Sequence, residues 1–136
     1  MKLIVCLDDR DGMLFSGRRL SRDVAVCKKI LELANGHALW MNSYSEKLFA
    51  ELNALVCVDE DFLENAGVGD FCFAEMDVTS ICWSKVEGIV VFRWNRHYPS
   101  DVKFPTALLK KEWQLVETDT FSGRSHEKIT MEVYAP

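Results

Sequence analysis

The sequence predicts an α/β domain whose central sheet is mostly parallel and whose last strands run antiparallel. Three observations lead there. Leu3-Ile-Val-Cys-Leu7 and Ile89-Val-Val-Phe92 are unbroken apolar runs, the pattern of strands buried on both faces. Between them, short apolar runs alternate with segments whose apolar residues recur at helical spacing, the order expected of strand–helix units. Near the C-terminus, Trp113-Gln-Leu-Val116 and Ser125–Tyr134 read as a closing pair of strands, with Ser122-Gly-Arg124 in the hairpin loop between them.

Taken in order, the first strand stops in Asp8-Asp-Arg-Asp-Gly12, a charged turn. Ser21 or Asp23 can cap the next helix, whose apolar face is Val24, Cys27, Ile30, Leu31 and Ala34. Asn35-Gly36 ends it, a pair that tolerates the left-handed backbone of helix termini. His37–Met41 reads as a second strand, Glu46–Glu51 as a short helix opened by Ser43 or Ser45, and Ala54–Val58 as a third strand. Asp61–Ala66 is a helical turn closed by Gly67, and Asp70–Ala74 is a fourth strand. Periodicity leaves Val78–Trp83 open between a short helix and an extended segment, and Asp101-Val-Lys-Phe-Pro105 reads as a short crossing segment. No linker, repeat or low-complexity stretch divides the chain, so residues 1–136 are expected to form one domain.

Composition narrows the function. With 49% hydrophobic and 27% charged residues, the chain is an ordinary globular sequence, and its net charge of −5 argues against a nucleic-acid surface. Five cysteines are an odd number without a Cys-x-x-Cys, mostly set in apolar runs, which suits a reducing cytosol better than a disulfide framework. A signal peptide and an apolar run of membrane-spanning length are both missing, so a cytoplasmic location without a membrane partner is expected. His37, His97 and His126 stand apart, which excludes a zinc hydrolase of the metallo-β-lactamase type. A Gly-x-Ser-x-Gly elbow, a P-loop and a Gly-x-Gly-x-x-Gly fingerprint are lacking too. Asp8, Asp9 and Asp11 could gather a hard divalent cation, although their spacing fits no known calcium loop and a charged turn after a strand is commonplace.

The order and spacing of the C-terminal segments carry a resemblance. A buried strand, Asp101-Val-Lys-Phe-Pro105, a Trp113 that opens the penultimate strand and a last strand ending in Tyr134 together resemble the end of a dihydrofolate reductase. The likeness in element order extends to the N-terminus. Leu3–Leu7 followed by Asp11-Gly-Met13 is similar to the family's first strand and its loop beside the nicotinamide, and Leu20-Ser-Arg-Asp23 to the segment that carries the active-site carboxylate. The resemblance implies a dihydrofolate-reductase-like three-layer fold, with a mostly parallel central sheet and antiparallel C-terminal strands. It also implies a catalytic role for Asp23, which would help deliver a proton as hydride arrives from NADPH.

The departures fall on the family's working positions. Gly17-Arg18 stand where it has Pro-Trp, and Asn42 and Ser43 replace the Gly and Arg that help bind cofactor phosphates, leaving only the hydroxyl of Ser45 in kind. Ala74 and Glu75 occupy a Gly-Gly position whose backbone approaches a pyrophosphate, and Phe92 replaces a strand threonine. The loop that carries the folate-tail arginine is deleted between Leu52 and Ala54.

Asp23 therefore has two readings, a site carboxylate or a helix cap worth about 1 kcal/mol. Arg18, Arg19 and Arg22 also have two: a clamp for a phosphate or carboxylate, or solvated side chains paired with nearby aspartates. The expectation that follows is a cleft that binds a small anionic ligand, lined by Asp23, Arg18, Arg19, Arg22, Tyr44 and Ser45, with no cofactor. Its rival is an NADPH-dependent reductase of a pterin-like heterocycle with Asp23 as proton donor. A third reading is a non-catalytic interaction protein, a homodimer with Trp94 and neighbouring aromatics at its interface.

Overall fold

The computed structural model describes all residues, Met1–Pro136. Its centre is a seven-stranded sheet in the order β5-β4-β6-β1-β7-β10-β9. The parallel part comprises β1 (Lys2–Leu7), β4 (Leu39–Met41), β5 (Cys57–Val58), β6 (Phe71–Phe73) and β7 (Gly88–Arg93). The chain then reverses: β10 (Ile129–Ala135) lies antiparallel to β7, and β9 (Gln114–Phe121) pairs antiparallel with β10 at the edge. A mostly parallel sheet with antiparallel C-terminal strands was the expectation, and it is what the chain forms.

Alternation along β1 and β7 builds a core on each face of the sheet. Leu3, Val5 and Leu7, with Ile89 and Val91, pack against Phe62 of α3 (Phe62–Asn65) and Leu109 of α4 (Thr106–Glu112). Ile4, Val90 and Phe92 pack on the opposite face against Val26 and Ile30 of α1 (Val24–Leu33), and against Phe49 beyond α2 (Ser43–Glu46). Leu3, Ile4, Leu7, Ile30 and Phe92 have no exposure at all, and each such burial is worth about 1.5–3 kcal/mol. The result is three layers.

A second, smaller sheet in the order β3-β2-β8 lies beside the main one, formed by β2 (Gly12–Phe15), β3 (Arg18–Arg19) and β8 (Val102–Lys103). Ser16 and Gly17, at φ 50° and 73°, make the two-residue turn between β2 and β3, with the doubly positive φ that matches strand twist. This sheet and α4 were not expected from the sequence. The segment Asp101–Pro105 crosses as anticipated, but it contributes β8 and leads straight into α4. Between Val78 and Trp83 the chain forms neither a helix nor a strand, and a single 3-10 turn, Trp83–Lys85, follows.

In an open parallel sheet, ligands sit outside the carboxyl ends of the strands, where connections run to either side of a central strand. Here that strand is β1, between β6 and β7. Beyond the ends of β1, β4, β6 and β7 lie the side chains that the sequence singles out.

Candidate functional site

Two polar networks occupy this end of the sheet. The first joins β3, the start of α2 and the residue pair after β6. Arg19 grips Glu75 with both arms, Nε to Oε2 at 2.7 Å and Nη2 to Oε1 at 2.9 Å. Ser45 donates from Oγ to the same Oε1 at 2.8 Å, so the carboxylate is held by three donors. The guanidinium lies 4.2 Å from the centre of the Tyr44 ring, and the Arg19 N–H donates to Tyr44 Oη at 3.0 Å. Side-chain exposures of 18% for Arg19 and 7% for Glu75 make this a largely desolvated pair. Burial alone would lower the Arg19 pKa, but the Glu75 hydrogen bonds and charge outweigh it and raise the value, so the cation is fixed. The space left beside the pair, bounded by Cys6, Met13, Glu75 and Trp94, is about 10 Å³, at the limit of a single water.

The second network ties the start of α1 to the β9–β10 loop. Asp23 is the N-cap of α1 and accepts from the Ala25 N–H at 2.9 Å. The same carboxylate accepts from the N–H groups of Arg124 at 3.0 Å and Ser125 at 2.9 Å, and from Ser125 Oγ at 3.2 Å. His126 Nδ1 lies 3.0 Å from Asp23 Oδ2. With only acceptors on the carboxylate, Nδ1 carries the proton and donates it. Burial pushes the Asp23 pKa up, yet the hydrogen bonds from Arg124, His126, Ala25 and Ser125 together hold it well below the usual carboxylate range. His126 is buried, stacks on Trp94 at 4.6 Å between ring centres, and turns Nε2 towards Ser21 Oγ at 2.8 Å and Tyr98 Oη at 3.4 Å.

The six residues singled out in the sequence thus divide. Arg19, Tyr44 and Ser45 meet around Glu75. Asp23 is the hub of the second network. Arg18 is exposed on the β2–β3 hairpin, where it borders a concave face of about 530 Å³ with Phe15, Leu20 and Tyr98. Arg22 is exposed on the other side, at a groove of about 390 Å³ between α1 and the segment after α2, bordered by Val24, Cys27, Lys47, Leu48 and Leu52. The three arginines therefore do not converge on one ligand position. Of the turn aspartates, Asp8 accepts from the N–H groups of Arg10, Gly12 and Tyr98, and Asp11 pairs with Arg93. No three His, Cys, Asp or Glu side chains gather as a metal site. Trp94, which the third reading puts at an interface between copies, is only 3% exposed and packs under His126. Sequence reasoning missed His126 and Lys47. Neither belongs to a local motif, and His126 reaches Asp23 only when the last hairpin folds back over α1.

No family model and no curated protein matches the sequence. Among solved structures, the chain superposes on dihydrofolate reductase from Enterococcus faecalis, complexed with NADP(H) and RAB-propyl, with a TM-score of 0.66. The match covers 98% of this chain and 94% of that one. The fold is that of dihydrofolate reductase. At 12% identity the likeness is one of architecture, and chemistry has to be argued from the residues present. Ala74-Glu75 and Ser45 are the positions that the sequence resemblance sets against a cofactor's phosphates. Here the Arg19–Glu75 pair occupies them, and the space left beside the pair is about 10 Å³.

Proposed function

We propose that this dihydrofolate-reductase-fold protein binds a small anion with an apolar body in the groove between α1 and the segment after α2, and performs no nicotinamide-dependent reduction. The observation that carries this reading is the pairing of two free cations with an apolar floor. Arg22 and Lys47 are exposed at the groove and enter no ion pair within the chain, while Val24, Cys27, Leu48 and Leu52 supply its wall. At about 390 Å³ the groove is within the range of small-molecule sites. Glu51 and Asp23 also lie at its border, the Asp23 carboxylate already taken up by the N–H groups of Ala25, Arg124 and Ser125, so the ligand's charge belongs towards Arg22 and Lys47. The positions that the resemblance sets against a cofactor's phosphates are taken by Arg19 and Glu75, and Asp23, a fixed acceptor with a depressed pKa, is poorly suited to donate a proton to a heterocycle. A reducing, cytoplasmic setting is part of the proposal, supported by five cysteines that are all unbridged. No helix is long and apolar enough to cross a membrane.

Calorimetric titration with phenyl phosphate and benzoate, beside NADPH, tests it. Saturable binding of the aromatic anions is expected, weakened about tenfold by Arg22→Ala or Lys47→Ala, one charge-assisted contact in each case. Saturable NADPH binding would restore the reductase reading. If neither anion nor NADPH binds, a non-catalytic interaction protein is the surviving reading.

A further inference from the structure

Ser21, His126 and Asp23 stand in the relation of a nucleophile, a base and the carboxylate that orients the base. Ser21 Oγ is 2.8 Å from His126 Nε2, and His126 Nδ1 is 3.0 Å from Asp23 Oδ2, on opposite sides of one imidazole. The proton on Nδ1 is committed to Asp23, so Nε2 presents its lone pair to the serine hydroxyl. That is the tautomer a general base needs. Trp94 stacked on one face fixes the ring plane. The buried Asp23 carboxylate, held by the N–H groups of Arg124 and Ser125, is locked in position without being neutralised.

Further observations go beyond a structural cross-link. Ser21 is partly exposed, whereas His126 and Asp23 are buried, so Ser21 is the residue of the trio that solvent reaches. The backbone N–H groups of Ser21 and of Arg22, its successor, donate to no acceptor within the protein, so both remain available as donors. Tyr98, whose Oη also faces His126 Nε2, borders the concave face of about 530 Å³ that includes Phe15 and Arg18. Phe15 is 49% exposed there, an apolar contact for an acyl group.

We propose that Ser21 is the nucleophile of an esterase-type site that takes small carboxylic esters approaching past Leu20 and Tyr98, which border this face; Ser21 itself borders the tight space beside the Arg19–Glu75 pair, so the smallest acyl groups are preferred. Ser21 Oγ attacks the ester carbonyl carbon as its proton passes to His126 Nε2, and the carbonyl oxygen becomes the oxyanion. Collapse breaks the bond to the alkoxy oxygen, which leaves as an alcohol carrying the proton from Nε2. Water then attacks the acyl-serine, giving its proton to Nε2. The carboxylic acid departs as Ser21 Oγ recovers that proton. No oxidant, metal or cofactor enters the balance. The proposal is independent of anion binding at the Arg22–Lys47 groove, and either can fail alone.

The test uses the whole chain with a fluorophosphonate label, tryptic peptide mapping and p-nitrophenyl acetate turnover. Covalent labelling is expected at Ser21 ahead of the other serines. Ser21→Ala and His126→Gln should each reduce turnover by about 100-fold or more, the scale of a lost nucleophile or base. Ser21→Ala removes only one hydroxyl, so an unchanged melting curve would separate lost chemistry from lost folding. Labelling absent from Ser21, labelling spread evenly over exposed serines, or turnover unchanged in Ser21→Ala would overturn the proposal. If His126→Gln does not fold, the mapped site in the unaltered chain decides the matter by itself.

Discussion

A Cβ on Gly123 would meet the Asp23 carboxylate and Ile129 Cδ1, the latter at 2.7 Å, so the missing side chain is what lets the carboxylate sit between the loop and α1. Gly123→Ala should therefore cost about 1–3 kcal/mol by overpacking, read as a lower urea midpoint; an unchanged midpoint would mean that the loop gives way freely. The Asp23 carboxylate itself has a folded pKa below its unfolded value of about 3.9. On acidification the unfolded chain binds that proton first. The stabilisation is whole above about pH 5 and is lost as pH falls through 4 towards the folded pKa, a contribution of roughly 2–3 kcal/mol. Denaturation of Asp23→Asn should show a flatter pH dependence between pH 5 and 3 (about those limits) than the unaltered chain; parallel curves would assign the acid sensitivity to Asp8, whose pKa is lowered too. Thiol reactivity divides the cysteines in the same residue-by-residue way. Burial pushes Cys27 up to about 11 and Cys72 to about 12, and raises Cys6 as well. Cys82 is exposed, and the Ser84 hydroxyl lowers its pKa. Iodoacetamide near neutral pH should modify Cys82 before any of those three. Faster modification of Cys27 would show that the α1 groove opens.

At the scale of elements, what the sequence reveals depends on how far each element's reasons are local. Leu3–Leu7 and Ile89–Phe92 are legible because burial on both faces writes an unbroken apolar run, and α1 because Asp23 and its apolar spacing lie within one helix. The helix α4 left no such trace: of Thr106–Glu112 only Leu109 is buried, so an apolar period has nothing to mark. The small sheet was silent for a different reason. Its hairpin turns on Ser16 at positive φ, a conformation that a sequence reader assigns to Gly, Asn or Asp. Along β9 the register shifts opposite Val133/Tyr134, and Leu115 and Val116 are both exposed, which erases clean alternation from an edge strand. The link between elements also has a measurable consequence. Asp23 holds the N–H groups of Arg124 and Ser125 from the far end of the chain, so Asp23→Ala should speed hydrogen exchange at those two amides while the amides of β1 and β7 stay protected. Slowed or equal exchange at Arg124 and Ser125 would detach the loop from α1.

For the molecule as a whole, the fold was readable and the site only half so, because the site is made by partners distant in sequence. Glu75 was legible as a charge where a phosphate would be repelled, and Arg19 as a cation in search of an anion. That the two satisfy each other across 56 positions is a fact of the folded chain. The same holds for Asp23 and His126, 103 positions apart. The Arg19–Glu75 pair consequently limits the space beside Cys6, Met13 and Trp94, and its energetics can be separated from its position. Removing either partner strands the other in a largely desolvated place: Glu75 would lose two of its three donors, or Arg19 its only carboxylate. Arg19→Met and Glu75→Gln should each cost about 2–4 kcal/mol. Together they should cost less than their sum by about 1–3 kcal/mol, since the double variant leaves no unpaired charge. Urea denaturation of the four chains gives the coupling directly. Strictly additive losses would mean that the pair does not hold this space shut, and the space beside Cys6, Met13 and Trp94 would then be open to a ligand after all.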